Sequence, residues 1–182
     1  MWKLLIKVYN RWDNNFIGLY FLEKKFRKTI DYLQHPVLKM ENTFYISTNK
    51  SQLDVEIIFD YLSNHSYWAK GRSRETIEKS IDNSLCFGVY DDENKQVGFA
   101  RVVSDLAVFA WLMDVFILPA FQGNGLGKLL MTEIMTHKDL QTVKKWGLGT
   151  KDAHGLYEKF GFRHLSKPEK MMEFEVISSA PQ

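Results

Sequence analysis

The clearest candidate for binding chemistry is a glycine-rich loop that precedes an apolar pattern of helical period. Its residues are Gln122, Gly123, Asn124, Gly125, Leu126, Gly127 and Lys128. Glycines leave the backbone bare where the predicted helix begins, so several N–H groups can converge on one anion. The positive end of the helix dipole favours the same anion. The loop is therefore predicted to bind phosphate, with Lys128 as an added positive charge.

The spacing of these glycines excludes two common nucleotide-binding loops. A Walker loop needs a glycine where Gln122 stands and a Ser or Thr, as a magnesium ligand, where Leu129 stands. A dinucleotide-binding fingerprint needs a third glycine at Lys128, and residues 118–122 are too many for its tight strand-to-helix turn. The phosphate would therefore belong to another class of ligand.

A single carboxylate, Asp114, interrupts the apolar stretch that precedes the loop. A buried carboxylate without a partner has a raised pKa or requires a hydrogen-bond network. A simple hairpin register places Arg101 near Ala110, so no ion-pair partner for Asp114 is evident. Asp114 is therefore a candidate general base, acting directly or through water, and a buried structural carboxylate is the alternative.

Hydrophobic periodicity predicts the elements that would position these residues. We expect strands at residues 44–47, 85–90, 96–104, 108–118, 146–150, 162–165 and 171–177. We expect helices after the caps Ser51, Ser73 and Asp152, and a further one from Leu126 to about His137. The strands from 85 to 118 would form an antiparallel meander.

Two segments resemble the GNAT acetyltransferase superfamily. The Gln-x-x-Gly-x-Gly pattern of residues 122–127 is similar to its coenzyme A pyrophosphate loop. Residues 150–162, TKDAHGLYEKFGF, resemble its pattern of a strand ending in Thr or Asn, a short helix with a Leu-Tyr pair, and a closing Gly-Phe. The two segments have the expected order and separation. The resemblance covers roughly residues 43–176.

The resemblance implies an α/β GNAT fold: a mixed, mostly antiparallel sheet with splayed parallel central strands and helices on both faces. It implies that acetyl-CoA donates an acetyl group directly to a primary amine in a ternary complex. Tyr157 of the Leu-Tyr pair would be the general acid for the departing thiolate. Without the resemblance, its place on an apolar helix face would indicate a core tyrosine.

The resemblance also implies backbone and acceptor-side roles. The strand before the loop would pair with the pantetheine arm through Val115, Phe116 and Ile117, with the N–H near Val115 polarising the thioester carbonyl. Tyr67 and Trp68 occupy an aromatic loop that would lie over the acceptor pocket. Packing of these two aromatic rings is the alternative.

Composition is that of one folded domain, with 182 residues, 45% hydrophobic and 25% charged. The lone Cys86 lies in an apolar run and fits a reducing cytosol, so we expect a cytoplasmic protein. The five histidines lack metal-ligand spacing, so no metal is expected. The expected partner is a small-molecule or peptide amine, and no nucleic acid is expected.

Residues 1–39 lie outside the resemblance and differ in charge. Their net charge is +5, against −3 for residues 40–182. Apolar residues recur at helical spacing among the basic ones, which indicates an amphipathic extension covering the domain or lying on a membrane surface. We therefore divide the chain into this extension, which could precede a natural start at Met40, and an acetyltransferase domain at 40–182.

Two rival hypotheses remain open at this stage. A non-catalytic acyl-CoA-binding sensor on the same fold would bind acetyl-CoA without turnover, and a membrane-associated module would depend on residues 1–39. A net charge of −3 is too small to choose among peptide lysine, polyamine and aminoglycoside acceptors. The oligomeric state is not predicted.

Overall fold

The computed structural model of the protein describes residues 43–174. Five strands form one sheet in sequence order: β1 (Tyr45–Ser47), β2 (Leu85–Tyr90), β3 (Gln96–Ser104), β4 (Phe109–Ile117) and β5 (Lys145–Gly147). The first four strands pair antiparallel, and β5 runs parallel to β4. The predicted mixed, mostly antiparallel sheet is confirmed, whereas the predicted extension at 1–39 lies outside the described residues.

The helices are α1 (Val55–Asp60), α2 (Arg74–Asp82), α3 (Leu126–Thr136) and α4 (His154–Tyr157). A π-helical turn, Tyr61–His65, continues α1, and a 3-10 turn, Glu158–Phe160, continues α4. Asp54 caps α1 by accepting from the N–H of Ile57, and Ser73 caps α2 in the same way. The prediction that Ser51 begins the first helix was wrong, because Asp54 is the N-cap and its side chain accepts from the N–H of Ile57.

Adjacent residues of a strand point to opposite faces of the sheet, and both faces of this sheet carry apolar side chains. Helices therefore pack on both faces and bury these side chains. Phe87 belongs to a core that includes Leu130 and Ile134 of α3. Its neighbour Cys86 belongs to a second core with Ile58 and Ile77, from α1 and α2. None of the helices between residues 43 and 174 is long and apolar enough to cross a membrane.

Strand β4 contains a bulge at Asp114. Arg101 pairs with Met113, and the register then shifts so that Asp114 and Val115 lie opposite Ala100 alone. Asp114 has a φ of +52°, in the left-handed region that residues other than glycine seldom adopt. The bulge therefore changes the direction of side chains in the middle of the strand.

Strands β4 and β5 pair over a short distance and then separate. The parallel ladder joins residues 109–111 to Lys145–Gly147, although β4 continues to Ile117. Beyond the ladder, one edge of β4 has no strand partner among the described residues. This is the splayed arrangement that the resemblance implied.

The sheet is shorter at its C-terminal end than predicted. The strand expected at 146–150 is confined to Lys145–Gly147, and residues 162–165 and 171–174 form no strand. Residues 175–177 of the last predicted strand lie outside the described residues. Leu165 and Phe174 are exposed, so residues 162–174 bury no continuous apolar face that would stabilise a strand.

Candidate functional site

The glycine-rich loop makes a left-handed turn into α3. Gly123 and Gly125 have φ values of +83° and +77°, and Gly125 is the N-cap of α3 with no side-chain capping bond. Within residues 43–174, the N–H groups from Gly123 to Gly127 have no hydrogen-bond partner. A row of such donors at a helix start is suited to phosphate. Phosphate binding itself stays a prediction.

Two residues of the loop fix its position. The Nε2 atom of Gln122 donates to the carbonyl of Ile117 at 2.9 Å, which ties the loop to the end of β4. Leu126 is buried in the core beneath the sheet. Lys128 is exposed in the first turn of α3, where its charge is available to an anion.

A cavity of about 240 Å³ lies where β4 and β5 separate. Its walls are residues 111–115 of β4, residues 149–153 after β5, and part of the α1–α2 loop, residues 66–73. Five of the sequence-predicted residues line it together: Tyr67, Trp68, Asp114, Val115 and Tyr157. Phe116 and Ile117 do not line it, because their side chains belong to the two cores.

Tyr157 lies in the cavity wall, and the residue is 8% exposed. Its ring packs edge-on against Phe162, and its hydroxyl has no hydrogen-bond partner among the described residues. Burial raises the pKa of Tyr157 to about 12, with smaller contributions from Tyr67 and Asp152. The hydroxyl is therefore a protonated donor near neutral pH.

Asp114 is buried and accepts three hydrogen bonds. Its Oδ2 atom receives Arg101 Nε at 2.6 Å and an Arg72 guanidinium nitrogen at 2.8 Å. Its Oδ1 atom receives the indole Nε1 of Trp68 at 3.2 Å. The carboxylate thus joins β4 to the α1–α2 loop, and each of its two oxygens accepts from at least one protein donor.

The prediction that Asp114 lacks an ion-pair partner was wrong. Asp105 closes the β3–β4 turn by accepting hydrogen bonds from three backbone N–H groups. This turn pairs Ser104 with Ala110, so Arg101 lies opposite Met113 and next to Asp114. Sequence reasoning missed this contact because the turn geometry sets the register.

The turn before α4 is also capped differently from the prediction. The N-cap of α4 is Ala153, with no side-chain capping bond, so Asp152 is not the cap. Thr150 Oγ1 accepts from the N–H of Ala153 at 3.1 Å. Asp152 instead contributes to the cavity wall. The earlier threonine reaches the N–H because the chain turns sharply after β5.

A larger cavity of about 390 Å³ lies beside β5. It shares Trp111, Thr150 and Tyr157 with the smaller one, so the two adjoin. Its other walls are largely apolar, and it contains neither Asp114 nor Val115. The smaller cavity is therefore the better candidate for chemistry.

The cysteine and the possible metal ligands of the described region were the subject of two further predictions. Cys86 is buried, and burial raises the pKa of its thiol to about 11, so it is a poor nucleophile. In residues 43–174, no group of three or more His, Cys, Asp and Glu side chains could hold a metal ion.

Comparison with known proteins identifies the family. Residues 82–164 match the model described as an acetyltransferase (GNAT) domain. An uncharacterized N-acetyltransferase, ycf52, of Pyropia yezoensis is 32% identical over 77% of this chain and 82% of its own length. A candidate acetyltransferase of Gibberella zeae is 29% identical over 106 residues. This match covers 48% of this chain and 60% of the length of that protein.

A solved structure agrees with these relatives. A crystal structure of a GNAT-family protein from Xanthomonas campestris has a TM-score of 0.71 and 45% sequence identity. The similarity covers 74% of this chain and 94% of that one. The splayed β4–β5 pair and the loop before α3 lie within the stretch that matches the domain model. The chain therefore belongs to the GNAT acetyltransferase superfamily.

Proposed function

We propose that the protein transfers the acetyl group of acetyl-CoA to a primary amine by direct attack in a ternary complex. The observation that carries the proposal is the cavity at the β4–β5 separation, which has both Tyr157 and Val115 in its wall. The same strand leads into the loop whose N–H groups have no partner in the described region. One continuous path could therefore hold a phosphate at one end and a thioester at the other.

The residues present fit acetyl-CoA as a co-substrate. The loop at 122–128 would hold the pyrophosphate through backbone N–H groups, with Lys128 adding charge. The open edge of β4 near Val115, Phe116 and Ile117 would bind the amide-rich arm as a neighbouring strand would. These are backbone roles, so side-chain identity at the three strand residues matters little for them.

The chemistry requires one bond to form and one to break. The amine nitrogen attacks the thioester carbon, the carbon–sulfur bond breaks, and the sulfur leaves with the electron pair. We assign the Val115 N–H to the developing charge on the carbonyl oxygen, and the Tyr157 hydroxyl to the departing sulfur. The amine nitrogen passes its proton to solvent water, and Tyr157 regains a proton from solvent after it protonates the sulfur, so the net products are an amide and a free thiol.

The surroundings of Asp114 favour a structural role over the predicted role as a base. Its oxygens already accept from Arg101, Arg72 and Trp68, so it has little capacity to receive a proton from an amine. We propose that it anchors the α1–α2 loop against β4. The buried, protonated thiol of Cys86 supports direct transfer over a covalent acetyl-enzyme.

We also propose a cytoplasmic location, because a lone cysteine fits a reducing compartment.

A thiol-release screen tests the proposal. Acetyl-CoA is held fixed while peptide lysines, polyamines and aminoglycosides are varied, with an amine-free reaction as the control. We expect amine-dependent release of coenzyme A with at least one class. If calorimetry detects acetyl-CoA binding but no amine promotes thiol release, the protein is a non-catalytic sensor and the proposal fails.

A further inference from the structure

A tyrosine bridges one wall of the smaller cavity to the segment that follows β5. The hydroxyl of Tyr67, in the α1–α2 loop, accepts a hydrogen bond from the N–H of Lys151 at 2.8 Å. The ammonium of Lys151 lies 5.7 Å over the Tyr67 ring. These residues are 84 positions apart: Tyr67 lines the cavity, and Lys151 lies between Thr150 and Asp152, which also line it. The contact therefore joins the α1–α2 loop to the segment that follows β5.

The loop that carries Tyr67 is fixed at several other points. Trp68 and Arg72 donate to the buried Asp114. Ser66 donates to a helix carbonyl through its hydroxyl, which in turn accepts from the N–H of Ala69. The Tyr67 ring packs edge-on against Trp68, with centroids 4.9 Å apart. The bridge thus belongs to a loop that several hydrogen bonds hold in place, and Tyr67 itself is 51% exposed.

The smaller cavity offers little volume beside Tyr67. A volume of about 240 Å³ is less than the roughly 300–1,000 Å³ of typical small-molecule pockets. During the proposed reaction it must hold both the acyl end of the thioester and the reacting end of the amine. An acceptor can therefore present only a narrow group there.

We infer that Tyr67, held by Lys151, is a specificity-determining residue that admits unbranched primary amines and excludes amines branched next to the nitrogen. The inference rests on the proposed function, because it names the acceptor class for that site. An extended alkylamine, or a lysine side chain, has the required shape. An amine on a secondary carbon would contact the Tyr67 ring.

Two isomeric amines, n-butylamine and sec-butylamine, test this inference at fixed acetyl-CoA. The wild-type protein should prefer n-butylamine in kcat/KM by about tenfold or more, the discrimination that one misplaced methyl group produces in a tight pocket. Tyr67→Ala should bring the ratio close to one. Tyr67→Phe should lower it partly, because the ring remains but its bond to Lys151 is lost. The matched control Tyr45→Ala removes a similarly exposed tyrosine at the opposite edge of the sheet and should keep the wild-type ratio.

The outcomes separate this inference from the proposed function. Equal turnover of the two amines by the wild-type protein, or ratios unchanged in both Tyr67 variants, would overturn the inference alone. If neither amine is acetylated, the proposed reaction is contradicted for these acceptors. Calorimetry of the same amines with the acetyl-CoA-saturated proteins then decides the inference. The wild type must bind n-butylamine more tightly than sec-butylamine, and Tyr67→Ala must bind the two amines equally.

Discussion

Asp114→Asn is the most informative single substitution, because it keeps the side-chain volume and removes the charge between two guanidinium groups. The Asp114 side chain is 1% exposed, and those of Arg101 and Arg72 are 8% and 20% exposed. Removing one partner of a buried ion pair costs about 3–5 kcal/mol, since the other charge is left uncompensated. Arg72 can reach water, so we expect a loss of about 3 kcal/mol, at the lower end of that range.

Urea denaturation at neutral pH measures this loss. The matched control is Glu78→Gln, which removes an exposed partner of Arg74 and should change the free energy of unfolding little. A loss below about 1 kcal/mol for Asp114→Asn would refute the account of a buried, charge-compensated anchor.

Kinetics of the same variant distinguish an anchor from a base. An anchor that positions the α1–α2 loop should raise the KM of the amine and leave the shape of the pH–rate profile unchanged. A base should lower kcat and remove the acidic limb of that profile. If the acidic limb disappears, the proposed structural role of Asp114 is contradicted.

Four further predictions address the cofactor loop, the general acid, the buried tyrosines and the domain. Tyr157→Phe should lower kcat by roughly 10²-fold and leave acetyl-CoA affinity nearly constant, and a variant with full activity would refute the acid role. Gly125→Val should weaken acetyl-CoA binding in calorimetry, whereas Gly71→Val, with the same φ of +77°, should lose comparable stability but keep its affinity. Burial raises the pKa values of Tyr90 and Tyr157 from 10.0 to about 12, so unfolded chains release these protons first and the free energy of unfolding should fall as pH rises from 10 to 12. In urea titrations, Tyr90→Phe should reduce this pH-dependent loss of unfolding free energy. A loss equal to that of the wild type would contradict the role of Tyr90. Residues 40–182 alone should fold and bind acetyl-CoA, and an insoluble or molten product would show that residues 1–39 cover part of the core.

Local signals in the sequence were sufficient for much of the fold. The bounds predicted for β2 and β3 match the structure because polar turn residues separate two apolar runs. The loop at 122–128 and Tyr157 could be found because their motifs are contiguous in sequence. The structure then brings Tyr157, Asp114 and Tyr67 to one cavity.

The features that sequence reasoning missed depend on tertiary geometry. The ion-pair partners of Asp114 lie 13 and 42 positions away, and the β3–β4 turn determines that Arg101 is one of them. The contact between Tyr67 and Lys151 spans an even longer separation. The prediction of a strand at 162–165 was wrong, because an alternation of apolar and polar residues alone does not provide a buried face or a partner strand.

The stoichiometry of the reaction tests the central claim most directly. Acetyl-CoA and a reactive primary amine are incubated with the protein, and coenzyme A thiol, acetylated amine and intact protein mass are measured in the same samples. Direct transfer predicts one acetylated amine for each thiol released and no mass gain of the protein with acetyl-CoA alone. Thiol release without an acetylated amine, or an acetylated protein that forms before the amine is added, would contradict direct transfer.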